Sequence, residues 1–251
     1  MTLRLFALLV LTAGPAFAAP PAGCDGETAR ETLQRVGEHG ELGTSTGRIL
    51  RLSDVRLAEG AREVLAAFEG DEVVVHLDGG RDRWGRVPGR VILAADGTDL
   101  ATLLVQEGLA LVDVGGADGL CRPDLLAQEA PARAARRGIW SAVPLSADDP
   151  QAVAARAGRF AVIEGRVVGV GERARWTYLN FGRDFSRDFA VSISRRNWEA
   201  MRRAGLSAEA LTGRRVRVRG IVEIRRAPGI EITSADMIEW RDEPRVPPAA
   251  R

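Results

Sequence analysis

Apolar residues recur along the chain in two rhythms, every second position in some stretches and every third or fourth in others. Alternation over residues 47–55 and 87–94 predicts two strands, and the valine run of residues 72–77 a third. Residues 61–68 predict a short helix stopped near Gly70, and Asp96-Gly97 a tight turn. Asp99 is placed to cap a helix over residues 100–107, with Leu100, Leu103 and Leu104 on one face and Gly108 as its stop. Residues 124–137 predict a further helix ending at Gly138, kinked or shortened by Pro131, which has no backbone N–H to donate. Farther on, strands are predicted at residues 160–170, 176–181 and 189–193, then a helix at 197–204 stopped by Gly205. Residues 214–224 alternate Arg with apolar side chains, the pattern of a half-buried strand with a basic outer face, and residues 230–233 make a last strand.

Strands followed by helices describe, over residues 36–145, a compact β-barrel with packed helices. Three strands, a helix and two strands over residues 158–242 follow the order of a five-stranded oligonucleotide-binding (OB) barrel. The expected fold class is therefore mainly β with α (α+β): two small OB-like β-barrels in tandem, the first with packed helices. Residues 19–35 are expected as an N-terminal tail, 146–157 as a linker or short helix start around Asp148-Asp149-Pro150, and 243–251 as a C-terminal tail. A chain of 251 residues is long enough to bury two such cores. Two His and two Cys, far apart in sequence, form no local zinc motif.

Charge changes the picture more than composition does. The chain sums to +1, and every basic residue is Arg. Residues 19–155 hold 14 Arg against 22 Asp plus Glu, net −8, whereas residues 156–251 hold 20 Arg against 12, net +8. Two readings stay open: the basic half attracts a polyanion, or the halves complement each other across an interface.

Residues 1–18 have a basic start (Arg4), an apolar run and a small-residue exit at Ala16-Phe17-Ala18, the pattern of a signal peptide cut after Ala18. No stretch is long enough to span a bilayer. Lipid anchoring through Cys24 is disfavoured by Pro21, so a soluble periplasmic or secreted protein is expected. In an oxidising compartment, Cys24 and Cys121 are expected to form one disulfide.

Five segments then occur in a telling order: Arg51-Leu52 with Glu59; Asp82-Arg83-Trp84-Gly85-Arg86; Asp96-Gly97-Thr98-Asp99-Leu100; Leu104-Val105-Gln106-Glu107-Gly108-Leu109-Ala110; and Ala134-Ala135-Arg136-Arg137-Gly138-Ile139-Trp140. Over residues 36–141 this series resembles the thermonuclease (staphylococcal nuclease-like) family. The basic segment after it resembles the OB-like extension of some secreted relatives, through Glu164-Gly165-Arg166-Val167-Val168, Thr177-Tyr178-Leu179-Asn180-Phe181-Gly182 and residues 213–220. The resemblance implies Ca²⁺-assisted cleavage of phosphodiesters, with two Arg stabilising charge on the phosphoryl oxygens and a carboxylate activating water. It places Arg51 and Arg86 on the two catalytic Arg and Glu59 on the general base. It also places Gly40 and Arg56 where the family has its metal-binding Asp residues, so no metal ligand is expected unless Glu38 or Glu41 substitutes.

Three functions follow as expectations. The first is a nuclease homologue with a degraded Ca²⁺ site that binds single-stranded nucleic acid or a phosphorylated ligand. Its nucleic-acid contacts would be Arg56, Tyr178, Phe181, Arg217 and Arg219, Arg56 pairing with Glu59 or with phosphate. The plainer alternative makes Tyr178 and Phe181 barrel core and the Arg stripe a solvated face. The second function is an active nuclease with substitute ligands; the third is a periplasmic module that binds protein.

Overall fold

The computed structural model describes Cys24, residues 26–114 and residues 119–241. The expected signal peptide (1–18) and C-terminal tail (243–251) lie outside the described residues. The first half opens with β1 (Thr28–Val36), β2 (Leu42–Thr44), β3 (Ile49–Leu52) and β4 (Val55–Leu57), followed by α1 (Ala61–Ala66). Next come β5 (Glu72–Leu77), β6 (Val87–Leu93), α2 (Leu100–Gln106), β7 (Ala110–Val112), α3 (Leu125–Gln128) and α4 (Ala130–Ala134). Five strands close into a barrel in the order β1-β2-β3-β6-β5, with β3 and β6 parallel. On β6 the buried Val87, Val91 and Leu93 alternate with half-buried positions, as the two-residue period demands. Leu100 and Leu104 of α2 are fully buried, and Asp99 caps it by accepting the Thr102 N–H at 2.8 Å.

Two expectations need correction. Residues 28–35, read as tail, form β1, which pairs with β2 and β5 and closes the barrel. Its inward position Glu31 hid the strand, because an acid there breaks the apolar alternation. The carboxylate is buried but held by Arg48 and by the Thr46 hydroxyl at 2.8 Å. The strand read over residues 47–55 is instead β3 and β4, broken at Ser53-Asp54, where Asp54 has φ 60°. The helix expected over residues 124–137 is likewise split near Pro131 into α3 and α4.

The second half runs β8 (Leu145–Ser146), α5 (Pro150–Ala154), β9 (Phe160–Arg166), β10 (Gly169–Glu172), β11 (Trp176–Asn180) and β12 (Ala190–Ser194). It continues with α6 (Arg195–Arg203), α7 (Ala208–Leu211), β13 (Arg215–Ile224), β14 (Pro228–Ile232) and β15 (Ile238–Trp240). Strands lie in the row β10-β11-β12-β14-β13-β9-β8, with β15 also on β13. Only Val167 and Val168 separate β9 from β10, so one bent ribbon bonds β13 at one end and β11 at the other. The parallel pair β12–β14 holds the place that β3–β6 holds in the first barrel. Residues 146–157, expected as linker or short helix start, carry α5, whose start is capped by Asp149 accepting the Ala152 N–H at 3.0 Å.

The Arg stripe of β13 is not a solvated face. Arg217 and Arg219 are 1% and 0% exposed. Val216 and Val218 point into their own core, while the opposite face of the strand is covered by the first half. Arg219 donates to both oxygens of Glu129 at 2.9 and 3.0 Å and to the Val112 carbonyl at 2.9 Å, and it also meets Glu239. Glu129 takes the Val112 N–H at 2.9 Å as well. Arg217 bonds Glu164 at 3.0 Å and Glu239 at 3.2 Å, and its guanidinium lies 5.7 Å from the ring of buried Trp140. Alternation was read correctly; what covers the basic side was not in the pattern.

Cys24 and Cys121 are joined, tying a point four residues before β1 to the loop before α3 across 97 residues. Beside that loop, Asp54 is buried and accepts the Arg122 N–H at 2.6 Å. Burial pushes its carboxyl up to about 6, with the Asp78 charge adding to the rise and the Arg122 and Cys121 N–H groups opposing it.

Two outcomes are expected. Glu129→Gln leaves the Arg219 guanidinium buried with its main counter-charge gone, so urea unfolding should show a loss of about 3–5 kcal/mol. Glu129→Leu with Arg219→Leu should cost much less, because no unpaired charge then remains. A raised carboxyl favours folding below its unfolded value near 3.8 and loses that contribution as pH climbs through about 6. Asp54→Asn, whose amide oxygen keeps the acceptor, should therefore match the wild type near pH 4 and exceed it by about 1–3 kcal/mol at pH 8.

Candidate functional site

A groove of about 520 Å³ opens at one end of the first barrel, lined by Arg35, His39, Glu41, Ile49, Trp84 and Arg86 together with Gly37 and Gly43. It is built from the end of β1, the turn into β2 and the loop that leads into β6. Arg35 stands opposite Gly43 in the β1–β2 register and lies across it. The loop is shaped by Asp82, which accepts the N–H groups of Trp84 at 2.9 Å and of Arg86 at 3.0 Å. The same carboxylate takes Arg86 Nε at 2.9 Å, so backbone and guanidinium are fixed by one side chain.

Glu41 meets Arg86 Nη1 from the other side at 3.3 Å and accepts the His39 N–H at 3.1 Å. Desolvation raises the Glu41 carboxyl, but bonds from its own N–H, the His39 N–H and Arg86 outweigh it and hold the group below its ordinary value. Asp82 is likewise lowered: slight desolvation is overcome by its bonds from Arg86 and Trp84. Both carboxylates are therefore anionic at neutral pH. Trp84 is 60% exposed, and the guanidiniums of Arg83 and Arg86 sit 3.9 and 4.7 Å from its ring. The arrangement offers a fixed cation, a second guanidinium and an exposed indole at the mouth of one groove.

The residues named from the sequence separate into groups. Arg86 lies in the groove, and Arg51 sits beside it by register: Leu50 of β3 pairs with Val87 and Arg51 with Pro88. Arg51 is half-buried and makes no ion pair among the described residues. Glu59 is exposed just before α1, and no hydrogen bond or ion pair joins it to Arg51, Arg56 or Arg86. Arg56 pairs instead with Asp113, at 3.0 Å through Nε and 2.9 Å through Nη2, and covers the Phe160 ring at 5.0 Å.

On the second half, Phe181 is 4% exposed and packs on Phe189, with ring centroids 5.1 Å apart, so it is core rather than a stacking surface. Arg217 and Arg219 are spent in the buried network and cannot reach an outside phosphate. Tyr178 alone of the expected contacts on that half lines an open cleft. The sequence reading missed Arg35, His39, Asp82 and Trp84 as groove residues. Asp82 and Trp84 were inside a quoted motif, four and two residues before Arg86; nothing marked Arg35, which fell in the supposed tail.

Gly40 has φ 82°, a left-handed conformation that favours glycine, and a Cβ there would lie 2.2 Å from Leu57 Cδ1 and require Leu57 to shift. Glu38 is exposed on that turn, while Glu41 faces Arg86. Among the described residues, no group of three or more His, Cys, Asp or Glu converges.

Residues 55–142 match the family described as staphylococcal nuclease homologue. No curated protein matches the chain. The matched stretch begins at β4 and ends just past a 3₁₀ turn at Gly138–Ser141, so it includes β6, Arg86 and all four helices of the first half. Segment 55–142 thus belongs to the staphylococcal nuclease homologue family, and the closed five-stranded barrel it helps to build has an OB-like fold.

Proposed function

We propose that this is an exported nuclease homologue whose groove binds a phosphate-bearing ligand, single-stranded nucleic acid foremost, without the family's Ca²⁺ site. The observation that carries the reading is Arg86, held between Asp82 and Glu41 with its guanidinium against the exposed Trp84. A guanidinium stays charged and can bridge two phosphate oxygens, and fixing it in advance lowers the ordering cost of binding. Arg35 lines the groove as a further donor, Arg51 stands on the neighbouring strand opposite Pro88, and Trp84 supplies an apolar face for a base or sugar.

Hard-cation binding needs several oxygens at one point. The positions expected to supply them hold Gly40, closed against Leu57, and Arg56, paired with Asp113. The acids near the groove do not fit Ca²⁺, since Glu41 and Asp82 both neutralise Arg86. Without a metal, and with Glu59 exposed and apart, the groove is suited to holding a phosphodiester rather than cutting it. The disulfide supports export, and the matching strand orders support a second OB-like barrel over residues 158–241.

Cleavage and binding together test this reading. The mature protein should leave single-stranded DNA and RNA uncut in Ca²⁺ and in EDTA alike. It should still bind a labelled ten-mer in EDTA, with affinity falling as salt rises. Arg86→Ala should weaken that binding by roughly 10-fold or more, since a charged hydrogen bond is at stake. Ca²⁺-dependent cutting that disappears in both Glu41→Gln and Glu59→Gln would overturn the proposal in favour of substitute ligands. Absence of binding would leave a protein-interaction role.

A further inference from the structure

A second opening, about 420 Å³, lies on the outer face of the second half, away from the groove at Arg86. Its floor follows from strand register. Gly171 pairs with Tyr178, Tyr178 with Ser192, and Ser192 with Glu231. The next row pairs Asn180 with Ala190 and Ala190 with Gly229. Small residues on three neighbouring strands therefore leave a hollow, with the Tyr178 side chain rising beside it.

One wall is a loop built to present an aromatic ring. Asp184 accepts both the N–H and the hydroxyl of Ser186, at 2.9 and 2.6 Å, and Asp188 accepts the Asp184 N–H at 2.9 Å. A Cβ on Gly182 would sit 1.9 Å from Asp188 Oδ2, so glycine is what lets that carboxylate tuck under the loop. At the tip stands Phe185, 70% exposed and lining the hollow. A large ring held in water by a bonded loop has no role in the core.

The charges divide cleanly. Glu223 and Glu231 are both bound by Arg225, at 3.1 and 3.0 Å, and Arg225 in turn lies 5.4 Å from the Trp176 ring. Asp188 is occupied within its loop. Arg173 and Arg226 also line the opening, and neither has a carboxylate partner among the described residues. Two aromatic rings, the hydroxyl of Ser192, the amide of Asn180 and two unneutralised guanidiniums thus share one hollow. From this we infer that it binds a nucleotide unit, its base against Tyr178 and Phe185 and its phosphate toward Arg173 and Arg226. An uncharged apolar ligand would leave the guanidiniums and polar edges without use, and a bare anion would leave the rings without use. The volume falls in the range of small-ligand sites, and base–aromatic stacking is tolerant of sequence.

Tyr178 is the single tyrosine of the chain, which makes the site directly observable. The full mature chain labelled with 3-fluorotyrosine should give one ¹⁹F resonance. It should shift on titration with UMP, AMP or a (dT)₁₀ oligonucleotide, and stay unmoved by inorganic phosphate or an abasic ten-mer of equal charge. Phe185→Ala, at an exposed loop tip, should weaken the effect about 10-fold, and Arg226→Ala should weaken it with a smaller salt dependence. Similar affinity for mononucleotide and ten-mer would identify a free nucleotide as the ligand; tighter binding of the ten-mer would identify a single strand. No shift with any nucleotide, or an equal shift with the abasic ten-mer, would overturn the inference. Arg86→Ala should leave the ¹⁹F response to UMP unchanged, which separates this site from the groove of the first barrel.

Discussion

The ion pair between Arg219 and Glu129 is the constraint around which the two halves are arranged. A fully buried guanidinium of one half donates two hydrogen bonds to a fully buried carboxylate of the other. Neither charge is tolerable alone in that surrounding, since desolvation without a partner costs several kcal/mol. The pair therefore holds β13 against the helices of the first barrel. Around it Leu111, Ala132, Trp140 and Val162 form a small apolar cluster drawn from both halves. The Leu120 N–H also reaches Asp236 across the same boundary, at 2.9 Å.

That arrangement explains where the charge asymmetry of the sequence goes. Of the two readings open at first, complementarity across an interface accounts for Arg219, which meets a carboxylate of the acidic half. The basic half is thereby less available to a polyanion than its formal charge suggests. Arg217 is neutralised by Glu164 and Glu239 of its own half. Most other Arg of that half are exposed, and Arg173 and Arg226 among them line one opening.

Much of the fold was legible because strand and helix periods are local properties. The strands at β5, β6 and β9 to β14 and the capped helix α2 all followed from spacing and turn residues. What escaped was set by contacts distant in sequence. β1 is a strand because β2 and β5 flank it, and its buried Glu31 is stable only because Arg48 lies 17 residues away. Burial of Arg219 needs Glu129, 90 residues earlier, at the turn between α3 and α4, and the local sequence gives no sign of it. The site divides in the same way. Arg86 was legible because it lies in the segment Asp82–Arg86 that carries the resemblance, whereas Arg35 and Glu41 reach the groove only through barrel closure.

In the first barrel, the groove holds the Arg86 guanidinium between carboxylates that serve Arg86 itself. The central claim is that this groove takes the phosphate of a polynucleotide without a metal. Hydrogen–deuterium exchange of the full chain in EDTA, with and without a saturating single-stranded ten-mer, tests it most directly. Slowed exchange across residues 35–43 and 82–86 is the expected result. A bound ten-mer that leaves exchange in both segments unchanged would contradict the account.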